Sequence, residues 1–169
     1  MSSPNTYPLI FKFREHLAGD GFVAEVAVCG RVLARKEDDG EWWLYGVAPG
    51  AMAEGGGSLE EAYARFSLAL RNVFSESATA ADSFAEFERS VQRFVGQVDP
   101  IESERWSASL ESYRSGREKS DAPISDLPRL SADFTKFGAL ISRVDVGSAR
   151  AVQGTTSFTT ETQLLRPAA

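Results

Sequence analysis

Three groups of residues in this chain have types and spacing that could support chemistry. The first is Gly55-Gly56-Gly57-Ser58, a glycine run that leads into a helical pattern. Helix N-termini favour anions, so such a run can cradle phosphate. A phosphate loop needs Lys followed by Ser or Thr after its last glycine. Here Ser58-Leu59 stands in that place, and Glu60 and Glu61 put negative charge where phosphate would sit. The run reads as a turn with a helix cap. The second group is His16 and Cys29, the single histidine and single cysteine. A thiol beside an imidazole is a nucleophile with its base, and these two could lie on adjacent strands. Glu15 cannot orient His16, because neighbours on a strand point to opposite faces. In an alternating strand Cys29 reads as a small buried hydrophobe. The third group is Asp38, Asp39 and Glu41, which cluster at a turn without the spacing of a calcium loop. One histidine and one cysteine cannot make a typical zinc site. The expectation is therefore no catalytic residue, no metal and no cofactor.

Trp42, Trp43 and Tyr45 point to binding rather than catalysis. Adjacent strand residues face opposite sides, so Trp42 and Trp43 diverge while Trp43 and Tyr45 share a face. Outward aromatics on a strand mark partner surfaces, because Trp and Tyr carry much interface energy. These three are the candidate partner-binding residues, on the outward side and the open edge of their strand. A charged residue at Tyr45 is expected to weaken association and barely change folding. The alternative is that the C-terminal half packs on this face. The basic residues of the second half, among them Arg89 and Arg93 on one helix face, are interspersed with acids. Glu102 and Glu104 would repel DNA from the helix they open.

The elements that position these residues follow from periodicity. Tyr7, Leu9, Phe11 and Phe13 alternate with Lys12 and Arg14, and Phe22, Ala24, Val26, Val28, Val32 and Ala34 alternate with Glu25, Arg31 and Arg35. Both are half-buried strands, the second interrupted at Gly30, a bulge or bend. Asp39-Gly40 suits a hairpin turn, and Trp42 to Val47 is the third strand. Ser58 and Glu61 form a capping box for a helix whose stripe is Leu59, Ala62, Phe66, Ala69, Leu70, Val73 and Phe74. A second helix runs from about Asp82 to Val98, stopped by Asp99-Pro100, and a third from Ile101 to about Arg114. Residues 115–128 read as a linker. In residues 129–169, Leu130, Phe134, Phe137, Ile141 and Val144 fit a helix. Ile141–Val146 and Ala149–Val152 around Gly147-Ser148 fit a hairpin, and Phe158 to Leu164 alternates like a strand. The expected order there is a short helix, a hairpin and a final strand.

The chain has 169 residues, with 18 Lys and Arg against 24 Asp and Glu and a formal charge of −6. That length bounds one domain, or one with an appendage. The acidic balance disfavours nucleic acid. Residues 1–6 read as a disordered start without the basic and apolar regions of a signal peptide. No apolar run is long enough to span a bilayer. A single cysteine suits the cytoplasm. The expected fold is α+β: a three-stranded antiparallel meander covered by a helix, then helices and a β-rich C-terminal segment.

Residues 7–76, and above all Trp42–Val47, Pro49-Gly50, Gly56-Gly57-Ser58 and Glu60-Glu61-Ala62, resemble the N-terminal module of HicB-type antitoxins. The family's usual Gly-Cys after the proline is Gly50-Ala51 here, and its polar Asp before the Ser or Thr is Gly57. The resemblance implies a β-β-β-α module over residues 7–77, a partial RNase-H-like fold without the catalytic acids; the helical spacing after it gives a helical segment at 78–114. It also implies a bacterial protein of a toxin–antitoxin system that binds and neutralises a small partner ribonuclease. Many members add a DNA-binding domain, and no such module is recognisable after Ala78. The expected function is a non-enzymatic protein-interaction module, antitoxin-like or another inhibitor, with a protein partner or self-association into an oligomer. The alternatives are a DNA-binding regulator and an enzyme whose site is not legible in the sequence.

Overall fold

This computed structural model describes residues 5–117, 119–120, 122–131, 136–144 and 160–168. Asn5–Gly19 (β1) and Phe22–Lys36 (β2) form one long antiparallel hairpin. Gly21 in its turn has φ +74°, a left-handed value that glycine adopts without steric penalty. Trp42–Ala48 (β3) returns along the C-terminal half of β2, and Ala53–Gly56 (β4) returns along β3. Three helices follow: Leu59–Ala80 (α1), Phe84–Val95 (α2) and Pro100–Arg114 (α3). Gly138–Val144 (β5) pairs with the N-terminal half of β2, and Glu161–Leu165 (β6) pairs with β1. The result is a six-stranded antiparallel sheet in the order β4-β3-β2-β1-β6, with β5 also on β2. The α+β class expected from the pattern is the one formed.

β3 and β5 lie end to end along one edge of β2, and the seam between them falls at Gly30. Cys29 pairs with Gly138, Arg31 pairs with Ala48, and the register slips between Arg31 and Val32. A Cβ at position 30 would stand 2.4 Å from the Ala48 carbonyl oxygen and 2.5 Å from the Phe11 ring. Glycine alone permits that approach, which is why the apolar alternation breaks there.

α1 and α2 bury most of one sheet face. Leu9, Phe11 and Phe13 of β1 and Phe22 to Ala34 of β2 turn toward Phe66, Leu70 and Phe74 of α1 and Phe87 and Val91 of α2. The rings meet in pairs: Phe11 with Phe66 at 5.3 Å, Phe13 with Phe74 at 5.6 Å, and Phe22 with Phe87 at 5.4 Å. Each such burial stabilises by about 1.5–3 kcal/mol. α1 starts at the expected cap: the Glu61 N–H donates to Ser58 Oγ at 3.1 Å, and Glu61 reaches back to accept from the Gly57 N–H at 2.9 Å. α2 repeats the device, with Ser83 capping Glu86 and Glu86 accepting from the Asp82 N–H. Asp99-Pro100, expected to stop the second helix at Val98, lies beyond its end at Val95 and its C-cap Gly96. It starts α3, with Asp99 Oδ1 accepting from the N–H groups of Ile101 and Glu102 and Pro100 in the first turn.

α3 packs on the opposite sheet face. Trp106 joins Ile10, Leu33, Val47 and Leu165 in a smaller apolar cluster, and its Nε1–H donates to the Leu9 carbonyl at 3.0 Å. Among the described residues of 115–128 there is one 3-10 turn, Ile124–Asp126, which plants Ile124 in the main core. Ile141 and Val144, which fit either a helix or a hairpin strand in sequence, lie in strand β5, and Leu130 donates its backbone N–H to the Arg166 carbonyl. Strand pairing with the exposed edge of β2 outweighs a helix here. The final strand forms as β6. Phe134 and the Gly147-Ser148 turn lie outside the described residues. The strands of the C-terminal segment belong to the same sheet as residues 7–77. Among the described residues no helix is long and apolar enough to cross a membrane.

Candidate interaction surface

Pairing register lays out the α3 side of the sheet in rows. Thr6, Arg35, Trp43 and Gly55 form one row, Pro8, Leu33 and Tyr45 the next, and Ile10 and Arg31 the third. α3 rests over these rows, with Ser109 Oγ 3.1 Å from Thr6 Oγ1 and Glu102 beside Arg35. Beyond Arg31 the rows through Lys12, Arg14 and His16 are not covered by α3.

Trp42 faces the helices and is 6% exposed, packed against Tyr7 at 5.9 Å and under Lys36. It belongs to the core rather than to the outward surface. Trp43 and Tyr45 face the other way and are half-buried. Their rings stack at 6.2 Å and 25°. The Trp43 indole lies against the backbone of Gly55, where a Cβ would come within 2.6 Å of it. The guanidinium of Arg35 sits 4.6 Å from the Tyr45 ring centroid. Arg35 is held in turn by Glu37 at 3.8 Å and Glu102 at 3.9 Å, while Arg105 pairs with Glu102 at 2.6 Å. The Tyr45 hydroxyl donates to Glu37 at 3.4 Å. Desolvation raises the Tyr45 pKa, Arg35 opposes the rise, and Glu37 adds to it, so the ring is a neutral phenol at physiological pH.

Three further expectations need correction. The outer edge of the aromatic strand is not open, because β4 pairs with Trp42 through Tyr45. The glycine-rich stretch reads as a turn in sequence, yet Ala53–Gly56 is extended and pairs with the edge of β3, which offers a row of backbone groups to a further strand. Tyr45 is also not free to take a charge without effect on folding. It packs on the α3 cluster and is clasped by Arg35 and Glu37. What remains accessible is the outer surface of the stack, flanked by the Glu37-Asp38-Asp39-Gly40-Glu41 hairpin. Asp38, Asp39 and Glu41 are exposed there. The stack is thus a preorganised aromatic surface with an acidic border.

The structure separates the residues that could have formed a catalytic pair. Cys29 lies opposite Lys12, and His16 lies opposite Glu25, four residues further along β1, or about 13 Å at strand rise. His16 Nε2 instead meets Glu25 at 3.1 Å, and Arg14 approaches the same carboxylate at 4.0 Å. Burial pushes the Cys29 thiol up to about 11, against a smaller downward pull from Lys12. That thiol is protonated at neutral pH and is a poor nucleophile. Glu15 sits on the helix side at 2% exposure, with its carboxylate beside Arg71 at 3.7 Å and accepting from Thr160. It anchors β6 to α1, together with the hydroxyl bonds among Tyr63, Ser67 and Thr162. No group of three or more His, Cys, Asp or Glu among the described residues is placed to hold a metal. Comparison of the chain with family models, curated proteins and solved structures finds no match.

Proposed function

We propose that this chain is a non-enzymatic protein-interaction module of the cytoplasm that binds and neutralises a basic protein partner, as an antitoxin does. The observation that carries the reading is the rigid Trp43–Tyr45–Arg35 stack beside the exposed acids of the β2–β3 hairpin. Aromatic and Arg side chains already fixed in place lose little entropy on binding and are the usual anchors of interfaces. The acidic border complements a basic surface and steers it into contact. A protein that binds RNA carries such a basic surface, which fits the HicB-like resemblance.

The test is co-expression with the product of the neighbouring reading frame, followed by affinity purification at two salt concentrations. The wild-type chain is expected to retain that product at low salt and release it progressively as salt rises. Trp43→Ala and the double variant Asp38→Lys/Glu41→Lys are expected to lose it. Retention by both variants would refute the reading.

A further inference from the structure

The half of the sheet face beyond α3 holds a groove of about 640 Å³. Its floor is two cross-strand rows. One runs through Gln163, Lys12, Cys29 and Gly138, and the other through Glu161, Arg14, Ala27 and Leu140. Successive rows are about 7 Å apart, two residues along a strand. The groove exists because its central positions carry small side chains, Ala27 and Cys29, with none at Gly138. Longer chains stand around them. Phe137 and Leu140 on the rim are 42% and 68% exposed, and an apolar concavity of this size with a few polar groups is the usual form of a small-molecule site.

At the α3 end the groove shares Cys29, Phe137 and Gly138 with a hollow of about 320 Å³. There the Arg31 guanidinium lies 5.4 Å from the Trp106 ring centroid and 5.9 Å from that of Phe137. Arg31 takes part in none of the ion pairs among the described residues. Partial burial pulls its pKa below the usual arginine value, the mark of a cation that has given up water without gaining a counter-charge. The charge around it is one-sided. In a chain of formal charge −6, the described lining of the groove and hollow carries Lys12, Arg14, Lys136 and Arg31 against one lining carboxylate, Glu161, with Glu25 beside Arg14. A planar guanidinium fork pairs best with a carboxylate, and a flat floor of small residues accepts a flat ring.

We propose that this groove binds a small aromatic carboxylate, with its ring on Ala27, Cys29 and Gly138 beside Phe137 and its carboxylate on Arg31. The site is separate from the Trp43–Tyr45 surface and does not depend on the partner reading.

Titration calorimetry of the full chain with 2-naphthoate and with its neutral isostere 2-naphthamide tests the proposal. Naphthoate is expected to bind more tightly than the amide. Arg31→Gln is expected to weaken naphthoate at least about tenfold and leave the amide nearly unchanged. Ala27→Leu, which fills the floor, is expected to abolish both. Should either variant fail to fold, amide chemical-shift mapping of naphthoate on the wild-type chain decides, with the largest shifts expected at Ala27, Cys29, Arg31 and Leu140. Equal affinity for acid and amide, no binding of naphthoate, shifts centred elsewhere, or self-association that buries Ala27 and Leu140 would each overturn it.

Discussion

Removing the indole of Trp106 should detach α3 from the sheet, and the size of the effect follows from its surroundings. Trp106 is 7% exposed, packs on Ile10, Leu33, Val47 and Leu165, and donates its N–H to the Leu9 carbonyl. It is the largest side chain by which α3 enters that cluster. Trp106→Ala leaves a cavity and an unpaired carbonyl, at a cost of about 3–5 kcal/mol. For a chain this size that lowers the melting temperature by roughly 6–20 °C. Trp106→Phe keeps most of the ring and loses only the donor, which costs about 1–3 kcal/mol. Urea denaturation gives the two stabilities. Hydrogen exchange shows where the loss falls, and α3 amides should lose protection before those of α1, whose stripe lies in the other core. If both variants stay within about 0.5 kcal/mol of wild type, Trp106 does not anchor α3 and the division of that sheet face into covered and bare halves is wrong.

Ser58→Ala should destabilise by about 0.5–2 kcal/mol through loss of the α1 cap, and an unchanged urea midpoint would show that the cap contributes nothing. Gly30→Ala should destabilise by more than 2 kcal/mol, on the order of an overpacked core, because Ala48 and Phe11 leave no room for a Cβ; a stable variant would refute the seam. Cys29 should resist iodoacetamide at pH 8 and react faster as pH rises toward 11. Its raised pKa favours the thiol in the folded state, so its contribution to stability is complete below the ordinary thiol range and is lost as pH rises through 11. Cys29→Ala should reduce the alkaline slope, to which Tyr45 and Tyr63 also contribute, and a slope of unchanged size would refute the assignment. The chain should not retard duplex DNA at physiological salt, given its acidic balance; a specific shift at submicromolar protein would favour the regulator alternative.

The hairpin, the third strand and α1 were legible because each carries a local signal: strict alternation, Asp39-Gly40, and Ser58 with Glu61. The second capping box, Ser83 with Glu86, was equally present in the sequence and starts α2 at Phe84, two residues after the expected start at about Asp82. β4 had no such signal, and β5 only a divided one, since Ile141 and Val144 fit a hairpin strand and a helix alike. Ala53–Gly56 is extended because β3 offers it an edge, and Gly138–Val144 because β2 is twice as long as β3 and has room for a second partner. Both depend on tertiary pairing that a local window does not contain. The same holds for the surfaces. Opposite facing of Trp42 and Trp43 follows from strand geometry, but which of them meets the helices is set by the register of β2. Arg31 looked like any polar residue of an alternating strand, and only the arrival of Trp106 and Phe137 gives it a distinctive setting.

The claim that matters most is that a basic protein partner docks on the Trp43–Tyr45 stack. A photo-crosslinking residue, p-benzoylphenylalanine, placed at Trp43 in cells tests it directly, with the same residue at Leu68 as a control. Leu68 is 55% exposed on α1, on the helical side of the sheet. The account predicts a crosslinked basic protein from position 43 and none from position 68. Crosslinking from position 68 with none from position 43 would contradict it.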